Sequence, residues 1–182
     1  MIEAIVFTVC TAFFVWVSRH SLLNPLSHGF YRFLAWECML ALVLVNFPMW
    51  TVDPFAPRQI VSWSLLLVSL VLAVHAVRLL RTFGRPGRER RDAELLSFER
   101  TSALVTTGAY RYIRHPMYAA LLFLALGAFL KNISLRSIAL VGGASIALLL
   151  TALRDEAECR RHFGEAYVEY MKASKRFVPF LF

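Results

Sequence analysis

Leu104-Val105-Thr106-Thr107-Gly108-Ala109-Tyr110-Arg111-Tyr112-Ile113-Arg114-His115-Pro116-Met117-Tyr118 is the stretch on which the reading of this chain turns. Tyr110, Tyr112, Tyr118, Arg111, Arg114 and His115 crowd into positions 110 to 118, and an apolar run begins immediately afterwards. A connector needs only solvated turn residues, so this density of polar and aromatic groups marks a site or an interfacial belt. Proline suits a first helical position, and the residue before it is pushed out of the helical region, so a helix is expected to start at Pro116 with His115 near its cap. The N–H groups of Met117, Tyr118 and Ala119 would then point back toward Arg114 and His115, forming a positive helix end suited to a carboxylate or phosphate.

Outward from that stretch the chain is apolar. Of its 182 residues 58% are hydrophobic, against roughly 45–50% in soluble domains. They fall in blocks at Ile2 to Val17, Phe30 to Trp50, Ile60 to Leu80, Pro116 to Leu130 and Ile133 to Leu153, each near the roughly 20 residues that cross a bilayer as a helix. The expected fold is an all-α membrane protein with five transmembrane helices. The first block is read as a retained span, because Met1-Ile2-Glu3 lacks the basic start of a signal peptide.

Basic residues set the orientation. Arg81, Arg85, Arg88, Arg90, Arg91, Arg100, Arg111 and Arg114 lie between the third and fourth spans, and Arg154, Arg160, Arg161, Lys172, Lys175 and Arg176 follow the fifth. Both regions are expected on the cytoplasmic side, with the N-terminus outside and the C-terminus inside, in an inner or plasma membrane. The division is residues 1–80 as three helices, 81–115 as a cytoplasmic loop, 116–153 as a helical hairpin and 154–182 as a cytoplasmic C-terminal helix, together one domain. The net charge of +8 borders membrane spans without a nucleic-acid motif, so the lipid bilayer, with its anionic lipids, is the expected partner and nucleic acid is not. Cys10, Cys38 and Cys159 form no spaced pair, which indicates neither a disulfide framework nor a metal site.

Within the chain, Gly84-Arg85-Pro86-Gly87 should break the third helix, and Phe98 with Leu104-Val105 suggests a loop folding back over something. Glu37 is costly in hydrocarbon and calls for a partner. His75 and Arg78 lie at a similar depth on the third span, so the three form a candidate acceptor-binding group or a purely structural ion pair. Small residues at Ala119, Ala120, Ala125, Gly127 and Ala128, and at Gly142-Gly143-Ala144, should let the fourth and fifth spans approach closely. That hairpin returns Arg154-Asp155-Glu156-Ala157-Glu158 to the motif. Phe163, Tyr167 and Tyr170 would form one stripe if the helix continues past Gly164. Aromatic faces, a positive helix end and acids together suit S-adenosylmethionine, which presents an adenine, a carboxylate, an ammonium and a sulfonium.

The segment Leu104 to Tyr118, followed by Arg154-Asp155-Glu156, Phe163-Gly164-Glu165-Ala166-Tyr167 and a closing Pro179, resembles the isoprenylcysteine carboxyl methyltransferases and their phospholipid methyltransferase relatives over roughly residues 95 to 182. The resemblance implies an integral membrane methyltransferase that encloses cytosolic S-adenosylmethionine, releases S-adenosylhomocysteine and takes a lipophilic acceptor from the bilayer. Leu104, Val105, Tyr110, Arg114, His115, Pro116, Met117, Tyr118, Glu156 and Tyr167 are the implied cofactor contacts, and Asp155 and Glu156 the catalytic candidates. The family commonly has Glu-Glu where this chain has Asp155-Glu156, which leaves open which acid reaches cofactor or acceptor. Thr151 stands where the isoprenylcysteine enzymes carry an acceptor-binding arginine, and this weakens the case for a prenylcysteine carboxylate. A carboxylate or thiolate acceptor needs no base; for an amine, Glu156, Asp155 or His115 are candidates. Two alternatives stand beside this reading. NADPH-dependent sterol or steroid reductases share an Arg-His-Pro-x-Tyr segment, although they usually carry Trp at the place of Tyr110 and Asn at that of Met117. The other is a small non-enzymatic membrane protein with an interfacial belt.

Overall fold

A computed structural model describes residues 1–85, 95–96 and 99–179. Pro86, Gly87, Arg88, Arg90, Arg91 and Phe98, used above, lie outside the described residues. The described chain is helical and contains no strand. Its helices are α1 (Ile2–Leu22), α2 (His28–Asn46), α3 (Pro57–Phe83), α4 (Pro116–Phe129), α5 (Leu135–Phe163) and α6 (Glu165–Ala173), with short 3-10 turns at Phe47–Met49 and Gly108–Arg111.

Local chemistry sets these boundaries. Ser27 caps α2 by accepting the Phe30 N–H, and Ser134 caps α5 by accepting that of Ser137. Proline occupies the first turn of both α3 and α4. Gly84 ends α3 as expected, and a Cβ there would lie 2.4 Å from the Leu80 carbonyl oxygen.

Four helices, α1, α2, α3 and α5, are long and apolar enough to cross a membrane, and the chain is an integral membrane protein. The fourth expected span is a helix of only 14 residues, about 21 Å long at 1.5 Å per residue, short of a hydrocarbon core of about 30 Å. The last span is longer than its apolar block, because α5 runs on to Phe163 and carries Arg154 through His162 as two further turns and more. The expected C-terminal helix is thereby divided: its first ten residues belong to α5, and α6 is a separate helix beyond Gly164.

α2 packs mainly on α5 and α3 mainly on α4, α4 touches both α2 and α5, and α1 packs mainly on α2. The small residues serve this arrangement rather than one tight α4–α5 seam. Gly127 is the point of approach to α3: a Cβ there would come within 2.9 Å of Leu66, and its carbonyl accepts from Ser62 Oγ at 2.7 Å. Gly143 faces Cys38 of α2, and Gly142 has open space beside it. At the end of the bundle away from the motif, Asn46 donates to the Ala128 carbonyl and accepts from Ser137 Oγ, both at 2.9 Å. Lys131 is fully buried there, donating to Gln59 Oε1 at 3.0 Å with its ammonium 3.5 Å from the Trp63 ring centre. This latch fixes the α4–α5 turn on α3 and so sets where both helices emerge at the other end.

Candidate active site

At that other end converge the start of α2, the end of α3, the motif, the start of α4 and the last turns of α5. The motif turns at Gly108, whose φ of 59° favours glycine and where a Cβ would lie 2.7 Å from Leu79. Tyr110 is thereby buried. Residues after α6 clamp the rest: Arg114 N–H donates to the Lys175 carbonyl at 2.7 Å, Lys175 N–H to the Tyr112 carbonyl at 2.9 Å, and His115 N–H to the Arg176 carbonyl at 3.2 Å. Tyr170 adds a hydroxyl bond of 2.6 Å to the Tyr110 carbonyl.

The two adjacent acids of α5 take different tasks, which their roughly 100° separation around the helix explains. Glu156 is 3% exposed. It accepts from Arg114 Nε at 3.1 Å and from Arg176 Nε at 2.9 Å and Nη2 at 3.1 Å, with His115 Nε2 at 3.4 Å. Arg114 also donates to the carbonyls of Met171 and Ser174. Asp155 accepts from the Tyr118 hydroxyl at 3.1 Å, lies 3.4 Å from His115 Nδ1, and accepts from Cys159 Sγ at 3.4 Å.

Asp155, not Glu156, faces a cavity of about 680 Å³ that includes its solvent-open mouth. Of the expected cofactor contacts, Leu104, Val105, Tyr110, Arg114, His115, Met117, Tyr118 and Tyr167 line it, while Pro116 and Glu156 do not. Phe163 and Tyr170 line it as well, although the helix does not continue past Gly164. That residue sits at φ 60° between α5 and α6, so the three rings line the cavity from either side of a helix break rather than as one continuous stripe.

The positive helix end is altered in the same way. The Ala119 N–H is given to the His115 carbonyl at 2.9 Å, and Arg114 and His115 are held by Glu156 and Asp155. Both ring nitrogens of His115 thus face carboxylates. Burial works against its charge, but the hydrogen bonds to Asp155 and Glu156 outweigh it and raise the imidazole above its ordinary value of 6.5. Stability from this pairing is complete below the unfolded value and is lost as pH rises through the higher folded one. The melting temperature in detergent is therefore expected to fall as pH climbs from about 6.5 into the alkaline range, and His115→Gln to flatten that fall. A wild-type melting temperature unchanged from about pH 6 to about pH 9 would contradict the pairing.

Sequence reasoning missed a second ionic cluster in the cavity wall. Glu99, just before the motif, accepts from Arg32 Nη1 at 2.9 and 2.6 Å, and His28 Nδ1 lies 2.6 Å from Glu158 Oε2. Burial would raise the Glu99 carboxyl, but the Arg32 guanidinium and His28 hold it down at about 2. The available signal was His28 and Arg32, one helical turn apart at the start of α2.

The suggested acceptor group of Glu37, His75 and Arg78 is not assembled. Glu37 accepts from Thr11 Oγ1 of α1 at 2.8 Å, because α2 turns this face to α1, while α3 packs on α4. His75 and Arg78 are exposed on α3, with His75 beside Gly108. Thr151 is buried and bonds the Ala147 carbonyl at 2.8 Å within its own helix, so nothing at that place substitutes for an arginine.

No curated protein and no solved structure matches the chain. A family profile does, over residues 57–166, from the start of α3 through the motif and α5 to the first residues of α6. That span includes Asp155, Glu156 and every motif residue that lines the cavity, and the chain belongs to the phospholipid methyltransferase family.

Proposed function

We propose that this protein transfers a methyl group from S-adenosylmethionine to a membrane-embedded acceptor, with the cavity at the converging helix ends as the cofactor site. The observation that carries this reading is the cavity's charge and ring content. Asp155 offers a carboxylate, and Tyr110, Tyr118, Phe163, Tyr167 and Tyr170 offer rings, a set suited to a ligand with an ammonium, a sulfonium and an adenine. The lining cations Arg114, His115 and His28 are each matched by a carboxylate. A pyrophosphate-bearing nicotinamide cofactor would need those charges for itself, which disfavours the reductase alternative.

S-adenosylmethionine, when bound, supplies an electrophilic methyl on sulfur that leaves S-adenosylhomocysteine behind. The chain's task is then alignment and exclusion of water. Buried rings and the wall made by Leu95, Glu99, Thr101, Leu104 and Val105 exclude water; Tyr118 and His115 orient Asp155. An acceptor amine must shed a proton, and Asp155 is the acid of the pair placed to receive it, whereas a thiolate or carboxylate acceptor needs none. The family description names phospholipids, which favours a headgroup amine among the carboxylate, thiol and amine acceptor classes.

Counting α4 as a crossing helix gives five spans, with the N-terminus outside and the cavity facing the cytoplasm. The arginines around the motif and after residue 153 support that orientation. Incubating membranes that contain the protein with methyl-labelled S-adenosylmethionine tests the activity. Label is expected in the organic phase after lipid extraction, and label confined to the aqueous phase would overturn a lipophilic acceptor.

A further inference from the structure

One wall of the cavity is made by the chain leading into the motif: Leu95, Glu99, Thr101, Leu104 and Val105 all face it, and none of them lies in a helix. Two sets of bonds fasten this wall. On one side it is tied to the end of α3, where Ser102 and Ala103 donate their N–H groups to the Gly84 carbonyl at 3.1 Å and Ser102 Oγ donates to the Arg85 carbonyl at 2.8 Å. On the other side Glu99 ties it to α2 through Arg32, with His28 Nε2 3.9 Å away. The Glu99 carboxylate also accepts the Leu96 N–H at 2.9 Å, while the Leu96 carbonyl accepts the Glu99 N–H at 2.9 Å. The acid closes its own turn and anchors that turn at once.

Exposed ion pairs contribute little, but Arg32 and His28 are buried, and breaking a buried pair from one side leaves a charge without compensation. α3 reaches α2 chiefly through α4. Glu99 therefore provides a direct bridge from the α3-anchored wall to α2 across the cavity.

We propose that Glu99 is a positioning residue for the cofactor: paired with Arg32, it holds the wall bearing Leu95, Thr101, Leu104 and Val105 against α2 and sets how long the cofactor is retained. This inference rests on the cavity being the S-adenosylmethionine site. It assigns to Glu99 retention of the ligand and no part in the transfer step.

The test is the dissociation rate of S-adenosylhomocysteine from full-length protein in lipid nanodiscs, together with methyl transfer to extracted lipid at saturating and limiting cofactor. Glu99→Gln is expected to release the ligand about tenfold faster and to raise the cofactor concentration needed for half-maximal transfer, with transfer at saturation within about twofold of wild type. Because the single variant takes from the buried Arg32 the carboxylate to which it donates, Glu99→Gln combined with Arg32→Gln removes both charges of the pair together. The same rapid release is expected there, with ligand-free melting near that of wild type. A folded double variant that releases the ligand at the wild-type rate, or that loses transfer at saturation as strongly as at limiting cofactor, would overturn the assignment. If the wild type binds no S-adenosylhomocysteine, the cofactor reading itself fails; if it binds and both variants retain the ligand normally, only the role of Glu99 fails.

Discussion

Glu156→Ala is expected to cost the fold. The Glu156 carboxylate answers Arg114, Arg176 and one nitrogen of His115 within 3.4 Å, and it is almost wholly buried. Its removal leaves three cationic groups without their shared partner, a loss of about 3–5 kcal/mol on the scale of buried pairs broken from one side. Because Arg114 and Arg176 also position the motif against the chain after α6, the cavity should disassemble along with the clamp. The expected result is a melting temperature in detergent lowered by about 10 °C or more, or a protein that no longer purifies as a single species. A Glu156→Ala protein that melts like the wild type would show that the cluster contributes nothing.

Asp155→Ala is expected to do the opposite, sparing the fold and removing the activity. Asp155 is held by a tyrosine hydroxyl, a thiol and the other nitrogen of His115. His115 keeps Glu156, so no buried cation is orphaned by the change. What is lost is the cavity-facing carboxylate, so binding or transfer should fall by about 100-fold, the range of a charge-assisted contact or a positioned proton acceptor. Label transfer from S-adenosylmethionine into extracted lipid measures this, and transfer within about threefold of wild type would remove Asp155 from the site. The pair of variants separates two adjacent acids that the sequence presents as equivalent.

That separation shows where sequence reading reaches and where it stops. Hydropathy marks apolar blocks, so the existence of five apolar helices was legible, as was the start of α4 at Pro116 from the chemistry of His115-Pro116. Hydropathy cannot show where one helix ends and the next begins once the apolar phase is past, so the helix expected after residue 153 was legible but its continuity with α5 as far as Phe163 and the break at Gly164 were hidden. The Asp155-Glu156 pair was visible; which acid faces inward depends on the rotation of α5 against α4, which is a matter of tertiary packing. Glu99 and Arg32 are 67 residues apart, and His28 and Glu158 are 130 apart, with no periodic pattern joining either pair. Glu37 signalled the need for a partner by its cost in hydrocarbon, but not that the partner is Thr11 of α1. The aromatic stripe was conditional on a helix continuing past Gly164; Gly164 breaks the helix, and Phe163, Tyr167 and Tyr170 line one cavity from either side of the break.

S-adenosylmethionine binding in the cavity beside Asp155 and the tyrosines is tested most directly by calorimetric titration of the purified full-length protein with S-adenosylhomocysteine. Saturable one-to-one binding is predicted, weakened about 100-fold by Asp155→Ala, with no heat from NADPH. Saturable binding of NADPH and none of S-adenosylhomocysteine would contradict the account.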